Sequence, residues 1–316
     1  MLSITLSNLT YLSIHLFDAK FDEFEMFIRK IYSKLKVLGV INESDDIDFL
    51  DSHRWKQLIL QYLPSLEKLY LQYFEDINDD YKYPIYSGKL NQFSSSFWVK
   101  RQWIFDVEIG DKEIIYCICP YRKRWYEYTH DKIINSSTDI FKSNRLILQY
   151  IFPDQFDELI NIKIKRVLTV VQIYHLETLE EDISIDNLIQ IINSLPDLIS
   201  IKIHSLSLAQ SIDLLETKVD IHYSTINTNK ITKVYLDNIT GIEEIYFLMI
   251  LCPNIEYLKI DWIGNINDQL FVENILKKIN QECNDHFRLL CFHISAADDE
   301  TIKNLEKNYS FKKTSS

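Results

Sequence analysis

The chain has 316 residues, 47% of them hydrophobic, with a mean hydropathy of -0.12 and 34 Lys and Arg against 46 Asp and Glu, a formal net charge of -12. That is enough apolar material for more than one ordinary globular core, while the negative balance opposes long-range attraction to phosphates and argues against a general nucleic-acid binder or an anionic-membrane binder. No apolar run approaches the roughly 18 residues of a membrane span, and the N-terminus has neither the basic nor the apolar region of a secretory leader, so a cytoplasmic or nuclear location is expected.

In chain order, a short pattern of apolar-x-x-apolar-x-apolar recurs. It opens at Leu9, Leu12 and Ile14, just after Leu6. Helical spacing follows at Phe21, Phe24, Phe27, Ile28 and Ile31, and the pattern returns at Leu35, Leu38 and Val40. An acidic loop from Glu43 to Asp48 leads to a second helix with Trp55, Leu58, Ile59 and Tyr62 on one face, and Leu63-Pro64 introduces a third unit at Leu66, Leu69 and Leu71. Plain units recur at Leu198-Ile201-Ile203, Ile231-Val234-Leu236 and Ile255-Leu258-Ile260, the last after the helix-ending Leu251-Cys252-Pro253. Thr240 to Glu243 has the spacing of a capping box that starts the helix before it. Weaker matches stand at Leu168-Val171-Ile173 and Phe287-Leu290-Phe292.

The middle positions of these units, residues 12, 38, 69, 171, 201, 234, 258 and 290, are spaced by 26, 31, 102, 30, 33, 24 and 32. All but one interval suit helix-containing repeats. In each unit the alternating residues mark a strand with one buried face, and a lone strand cannot bury that face, so the units are expected to stack. The expected fold is α/β: a leucine-rich-repeat-like solenoid, with a curved parallel sheet backed by helices and an inserted antiparallel β-hairpin module. Residues 1–75 form the N-terminal units, 76–165 the insertion, 166–308 the C-terminal units, with a last helix near Asp299 to Asn308, and 309–316 a polar tail.

The interval of 102 residues holds its own pattern. From Phe97 to Ile109 the odd positions are apolar except Arg101, and Gly110-Asp111 follows. A type II′ turn there would place Val107 opposite Ile114, Phe105 opposite Tyr116 and Trp103 opposite Ile118 in a projecting hairpin. Residues 129–165 give no clear assignment.

No nucleotide, metal or nucleophile-elbow signature is present, so no enzyme and no cofactor are expected. The five Cys, an odd number without regular spacing, read as free thiols in a reducing compartment. Asn-x-Ser/Thr at Asn8, Asn42, Asn135, Asn238 and Asn308 then carries little weight. Cys117 and Cys119 face one side of a strand; they can share a metal only with further ligands, and read otherwise as small semi-apolar side chains. Arg122, Lys123 and Arg124 beside Trp125 and Tyr126 fit either an anion or single-strand platform or solvated cations over packed aromatics.

Several runs carry a family resemblance: Ser194-Leu-Pro-Asp-Leu198, Lys230-Ile-Thr-Lys-Val-Tyr-Leu236, Ile242 through Asn254 with Glu256-Tyr-Leu258, and Arg288-Leu-Leu-Cys-Phe292 with Ala296 to Glu300. They resemble the repeat region of lineage-expanded invertebrate F-box proteins with degenerate leucine-rich repeats, and Ser96-Phe-Trp98 with Gln102-Trp103 resembles their insertion. The resemblance implies a ubiquitin-ligase substrate receptor whose repeats hold the protein to be modified. An F-box is not seen before Leu6, so docking to a cullin-type ligase adaptor is expected only if one lies upstream; the alternative is a free-standing scaffold.

The residues flanking each buried pair should face the concave side and form the binding surface. On the first strands these are Lys68 and Tyr70, with Tyr11, Ser13 and Gln72; next comes Tyr174. Lys202 and His204, Lys233 and Tyr235, then Tyr257 and Lys259 complete the surface. Its lysines and tyrosines suit a protein partner with an acidic or phosphorylated segment.

Overall fold

In a computed structural model the described residues are 8–31, 34–76, 92–127, 143–149, 156–207, 230–263, 268–281 and 287–292. They form an α/β protein with mostly parallel strands, divided into two compact units, Met1–Leu179 and Glu180–Ser316. Among them no helix is long and apolar enough to cross a membrane.

The first unit begins with β1 (Tyr11–Phe17), α1 (Phe21–Lys30), β2 (Val37–Glu43), α2 (Ser52–Tyr62) and β3 (Lys68–Asp76). The three strands pair in parallel with Leu12, Leu38 and Leu69 in register. Parallel neighbours require a crossover, and α1 and α2 supply it. The helices start where the sequence offers acceptors: Asp46 accepts from the Phe21 N–H at 2.6 Å, and Asp51 caps α2 by accepting from His53 and Arg54 N–H at 2.8 and 3.2 Å. Phe21, Phe24, Phe49 and Trp55 then pack with ring centroids 5.2–6.5 Å apart. This cluster is the core of the unit's start, and all four are at most 2% exposed.

The remainder of the unit is α3 (Ser96–Lys100), β4 (Trp103–Ile109), β5 (Glu113–Pro120), β6 (Arg145–Leu148), α4 (Phe156–Val170) and β7 (His175–Thr178). The strand order is β1-β2-β3-β5-β4-β6-β7. The hairpin β4–β5 is present, but its register differs from the expectation: Phe105 faces Ile118, Val107 faces Tyr116 and Ile109 faces Ile114. Gly110 N–H donates to the Glu113 carbonyl at 3.0 Å, so Asp111 and Lys112 occupy the turn, and Gly110 does not take the positive φ of a type II′ turn. Moving the turn centre by one residue moves the pairing by two, which preserves the apolar face. Lys163 of α4 fixes this turn by donating to the carbonyls of Gly110, at 2.8 Å, and Asp111.

Nor does the hairpin project. β5 pairs antiparallel with β3, and β4 pairs parallel with β6, so both strands lie inside the sheet. Every apolar residue of its inner face, from Trp103 to Ile118, is at most 2% exposed, and such a face has to be covered.

Val171 is also corrected. It follows α4 in the connection to β7, and Leu176 pairs with Leu146 in the strand position that Val171 was expected to hold. Ile160, Ile164 and Val167 run along the buried face of α4, and a further step of four reaches Val171, so the apolar spacing fits helix as well as strand.

The second unit comprises β8 (Ile183–Ser184), α5 (Ile185–Ser194), β9 (Ser200–Ile203), β10 (Leu206–Ser207), β11 (Lys233–Ile239), α6 (Ile242–Leu251), β12 (Tyr257–Ile263), α7 (Asp268–Gln281) and β13 (Leu289–Phe292). β8 and β10 form a parallel pair. β9, β11, β12 and β13 are parallel, with Ile201, Val234, Leu258 and Leu290 in register. The first three of these are fully buried. Helix α6 starts one residue later than expected: Glu244, not Glu243, turns back, its Oε1 accepting from the N–H groups of Thr240 and Gly241 at 3.0 and 3.1 Å. The expected last helix near Asp299 to Asn308, the tail and Leu6 lie outside the described residues.

Candidate functional site

The side of the first sheet opposite the Leu12–Leu38–Leu69 row carries the chemistry. One row crosses all seven strands in register: His15, Ile41, Gln72, Cys117, Asp106, Arg145 and His175. Its first four members are uncharged or paired at the edge, and its last three are charged or aromatic. A neighbouring row begins Ser13, Gly39, Tyr70.

The segment after β5 lies over the charged end. Arg124 makes a bidentate pair with Asp106 at 2.7 and 2.8 Å, and each side chain is only 7% exposed. Arg145 joins them, 3.3 Å from Asp106 and 2.5 Å from Glu177. Trp125 Nε1 donates to Glu177 at 2.9 Å, and Tyr126 stacks on His175 with centroids 3.5 Å apart while its hydroxyl donates to the Ser143 carbonyl at 3.0 Å. Burial alone would lower the Arg124 pKa, but Asp106 outweighs it and the guanidinium is held charged.

A groove of about 660 Å³ opens beside this wall. Its floor is Ser13, Gly39, Ile41, Gln72, Cys117 and Cys119, with Tyr11 and Tyr70 at one end and Arg122 to Trp125 at the other. Four cations and two carboxylates line it: Arg122, Lys123, Arg124 and Arg145 against Asp106 and Glu108. Burial, then the charge of Asp106, pushes the Glu108 carboxyl above its ordinary range. Burial likewise raises both thiols, which keeps Cys117 and Cys119 protonated and poor nucleophiles. The five-residue basic-aromatic run therefore divides: Arg124 and Tyr126 are buried structural groups, whereas Arg122 and Lys123 are exposed at the groove.

The expected binding residues separate in the same way. Lys68 and Tyr70 are exposed on β3, and Tyr70 borders the groove. Tyr174 is not on a strand; it precedes β7, and its hydroxyl donates to Gln172 Oε1 at 3.0 Å. In the second unit Lys202 lies 3.0 Å from Asp237, with His204 3.7 Å from the same carboxylate, and Lys259 lies 2.5 Å from Asp261. Lys233 is half-buried. Tyr235 and Tyr257 are 3% and 7% exposed with rings 5.1 Å apart, which removes them from an accessible surface. Alternation along the sequence placed these tyrosines on the outer face of a strand, but whether that face is covered depends on residues elsewhere in the chain. Asp106, Glu108, Arg145 and Glu177 were missed; for the first two, the even positions of β4, between the apolar odd ones, were the available signal.

No family model, no curated protein and no solved structure matches this chain.

Proposed function

We propose that this chain is a protein-interaction module, a leucine-rich-repeat-like solenoid that acts as the substrate-recognition repeat region of an F-box-type ubiquitin-ligase receptor. The observation that carries the reading is the open face of the first sheet, where exposed Lys68 and Tyr70 stand beside a groove with more cations than carboxylates. In a chain of net charge -12, such a local excess selects an acidic or phosphorylated segment of a partner. Registered stacking of repeat positions 38 with 69, and of 201 with 234 and 258, supports the solenoid reading.

The test is quantitative co-purification with the native chain and with a Lys68→Glu, Tyr70→Ala variant. A stoichiometric partner recovered by the native chain and lost with the variant is the expected result. Equal recovery by both would remove the face from the reading. The ligase assignment is tested separately by placing an F-box module before the chain: ubiquitination of the captured partner is expected, and its absence would leave a free-standing scaffold.

A further inference from the structure

The groove of the first unit has two chemically different ends. At one end Arg122 is exposed, makes no ion pair with a described residue, and lines the groove with Cys119. Lys123 is exposed beside it. At the other end Tyr11 and Tyr70 are 61% and 38% exposed. Between them the side chains shrink: Gly39, lying between Ser13 and Tyr70 in the sheet, contributes none, and a Cβ there would already meet Ser13 Oγ at 3.3 Å. The backbone itself is the floor.

We propose that this groove binds an extended peptide segment of a partner, with an acidic side chain held by Arg122 and Lys123 and an apolar or aromatic side chain seated between Tyr11 and Tyr70 over Gly39. The proposal rests on the interaction-module reading above and adds the place and the motif. From β5 across β3 to β2, the strand that carries Gly39, are two inter-strand steps of about 4.8 Å, roughly 10 Å, which an extended peptide covers in about three residues. The recognised segment therefore has its acidic and apolar anchors about three residues apart and runs across the strands, contacting side chains rather than a sheet edge. Of the two carboxylates nearby, Asp106 is held by Arg124 and Arg145, and Glu108 accepts from Gln149 Nε2 at 3.1 Å. Two adjacent exposed cations suit one anionic group; they do not track the successive phosphates of a nucleic-acid strand.

The experiment offers the purified full chain three degenerate peptide pools that differ only in one fixed residue: phosphoserine, glutamate or serine. Enrichment from the phosphoserine or glutamate pool over the serine pool, with aromatic or branched residues selected about three positions away, is the expected result, and the comparison of the two acidic pools tells phosphate from carboxylate. Arg122→Glu should weaken the selected peptide about tenfold or more. Gln72→Trp, which fills the floor without changing charge, should do the same, and both variants should melt like the native chain. No enrichment over serine, or an affinity indifferent to Arg122→Glu, overturns the proposal, as does tighter binding of a single-stranded oligonucleotide than of any acidic peptide. Failure here together with a partner still lost from the Lys68→Glu, Tyr70→Ala variant would reject the groove and leave the interaction module standing.

Discussion

Asp106→Asn tests whether the segment over the charged end of the sheet is a structural strap. The carboxylate accepts two short bonds from Arg124 and a longer one from Arg145, and both members of the bidentate pair are 7% exposed. With an effective dielectric of about 20 and charges about 4 Å apart, the attraction is about 4 kcal/mol. Breaking a buried pair on one side leaves the other charge uncompensated, a loss of about 3–5 kcal/mol. In a unit of this size each kcal/mol moves the midpoint by about 2–4 °C, so Asp106→Asn should lower Tm by about 6–20 °C. The companion is Asp106→Asn with Arg124→Met. Removing both charges should recover most of the loss, because what costs is the unpaired guanidinium rather than the missing pair. Urea unfolding of the native chain, the two single variants and the double variant closes the cycle. A single-variant loss below about 1 kcal/mol, or a double variant no better than Asp106→Asn, would refute the argument.

Other consequences follow from the same geometry. The Glu108 carboxyl has a folded pKa above its ordinary value, so between the two values the folded chain binds the extra proton and stability falls as pH rises; Glu108→Gln should therefore melt higher than the native chain near neutral pH, with the difference closing in acid. Leu258 is fully buried between strands on both sides, and Leu258→Asp should abolish cooperative unfolding of the second unit, since an unpaired buried carboxylate costs several kcal/mol against a total of about 5–15. Deleting residues 97–120 should destroy the first unit's folding, visible as loss of its melting transition, because both hairpin strands pair within the sheet. Gln102 sits at a φ of 54°, and Gln102→Gly should raise stability by up to about 1 kcal/mol in denaturant titrations.

The repeat positions were legible because their cause is local. Leu38, Leu69, Ile201, Val234 and Leu258 each sit at a fixed distance from other apolar residues of the same strand, and all five are fully buried. Val171 shows the limit, since apolar residues three and four apart satisfy a helix as readily as the entry to a strand. The hairpin's faces were legible from parity, but its register was not, because a turn centred on Asp111-Lys112 instead of Gly110-Asp111 leaves the same alternation behind. In the site, exposure of Lys68 and Tyr70 could be read from alternation on β3. The wall could not: Arg145 meets Asp106 and Glu177 across separations of 39 and 32 residues, and no local spacing encodes those pairings.

The antiparallel hairpin is what gives the open face its relief. Where parallel strands follow one another, as from β1 to β2 to β3, each connection returns through a helix on the buried side and none crosses the open face. β5 runs against β3 and ends at Pro120, opposite Trp103, so the chain leaves it at the other end of the sheet, and Tyr121 N–H is caught by the Gln102 carbonyl at 2.6 Å. The next residues then travel over the open face, Arg124 held by Asp106, Trp125 by Glu177 and Tyr126 by His175. Arg122 and Lys123 are placed at the groove by that route. Stability and the proposed recognition should consequently separate on this face: changes at Asp106, Arg145 or His175 should act on the strap and on binding together, whereas changes at Ser13, Gln72 or Arg122 should act on binding alone.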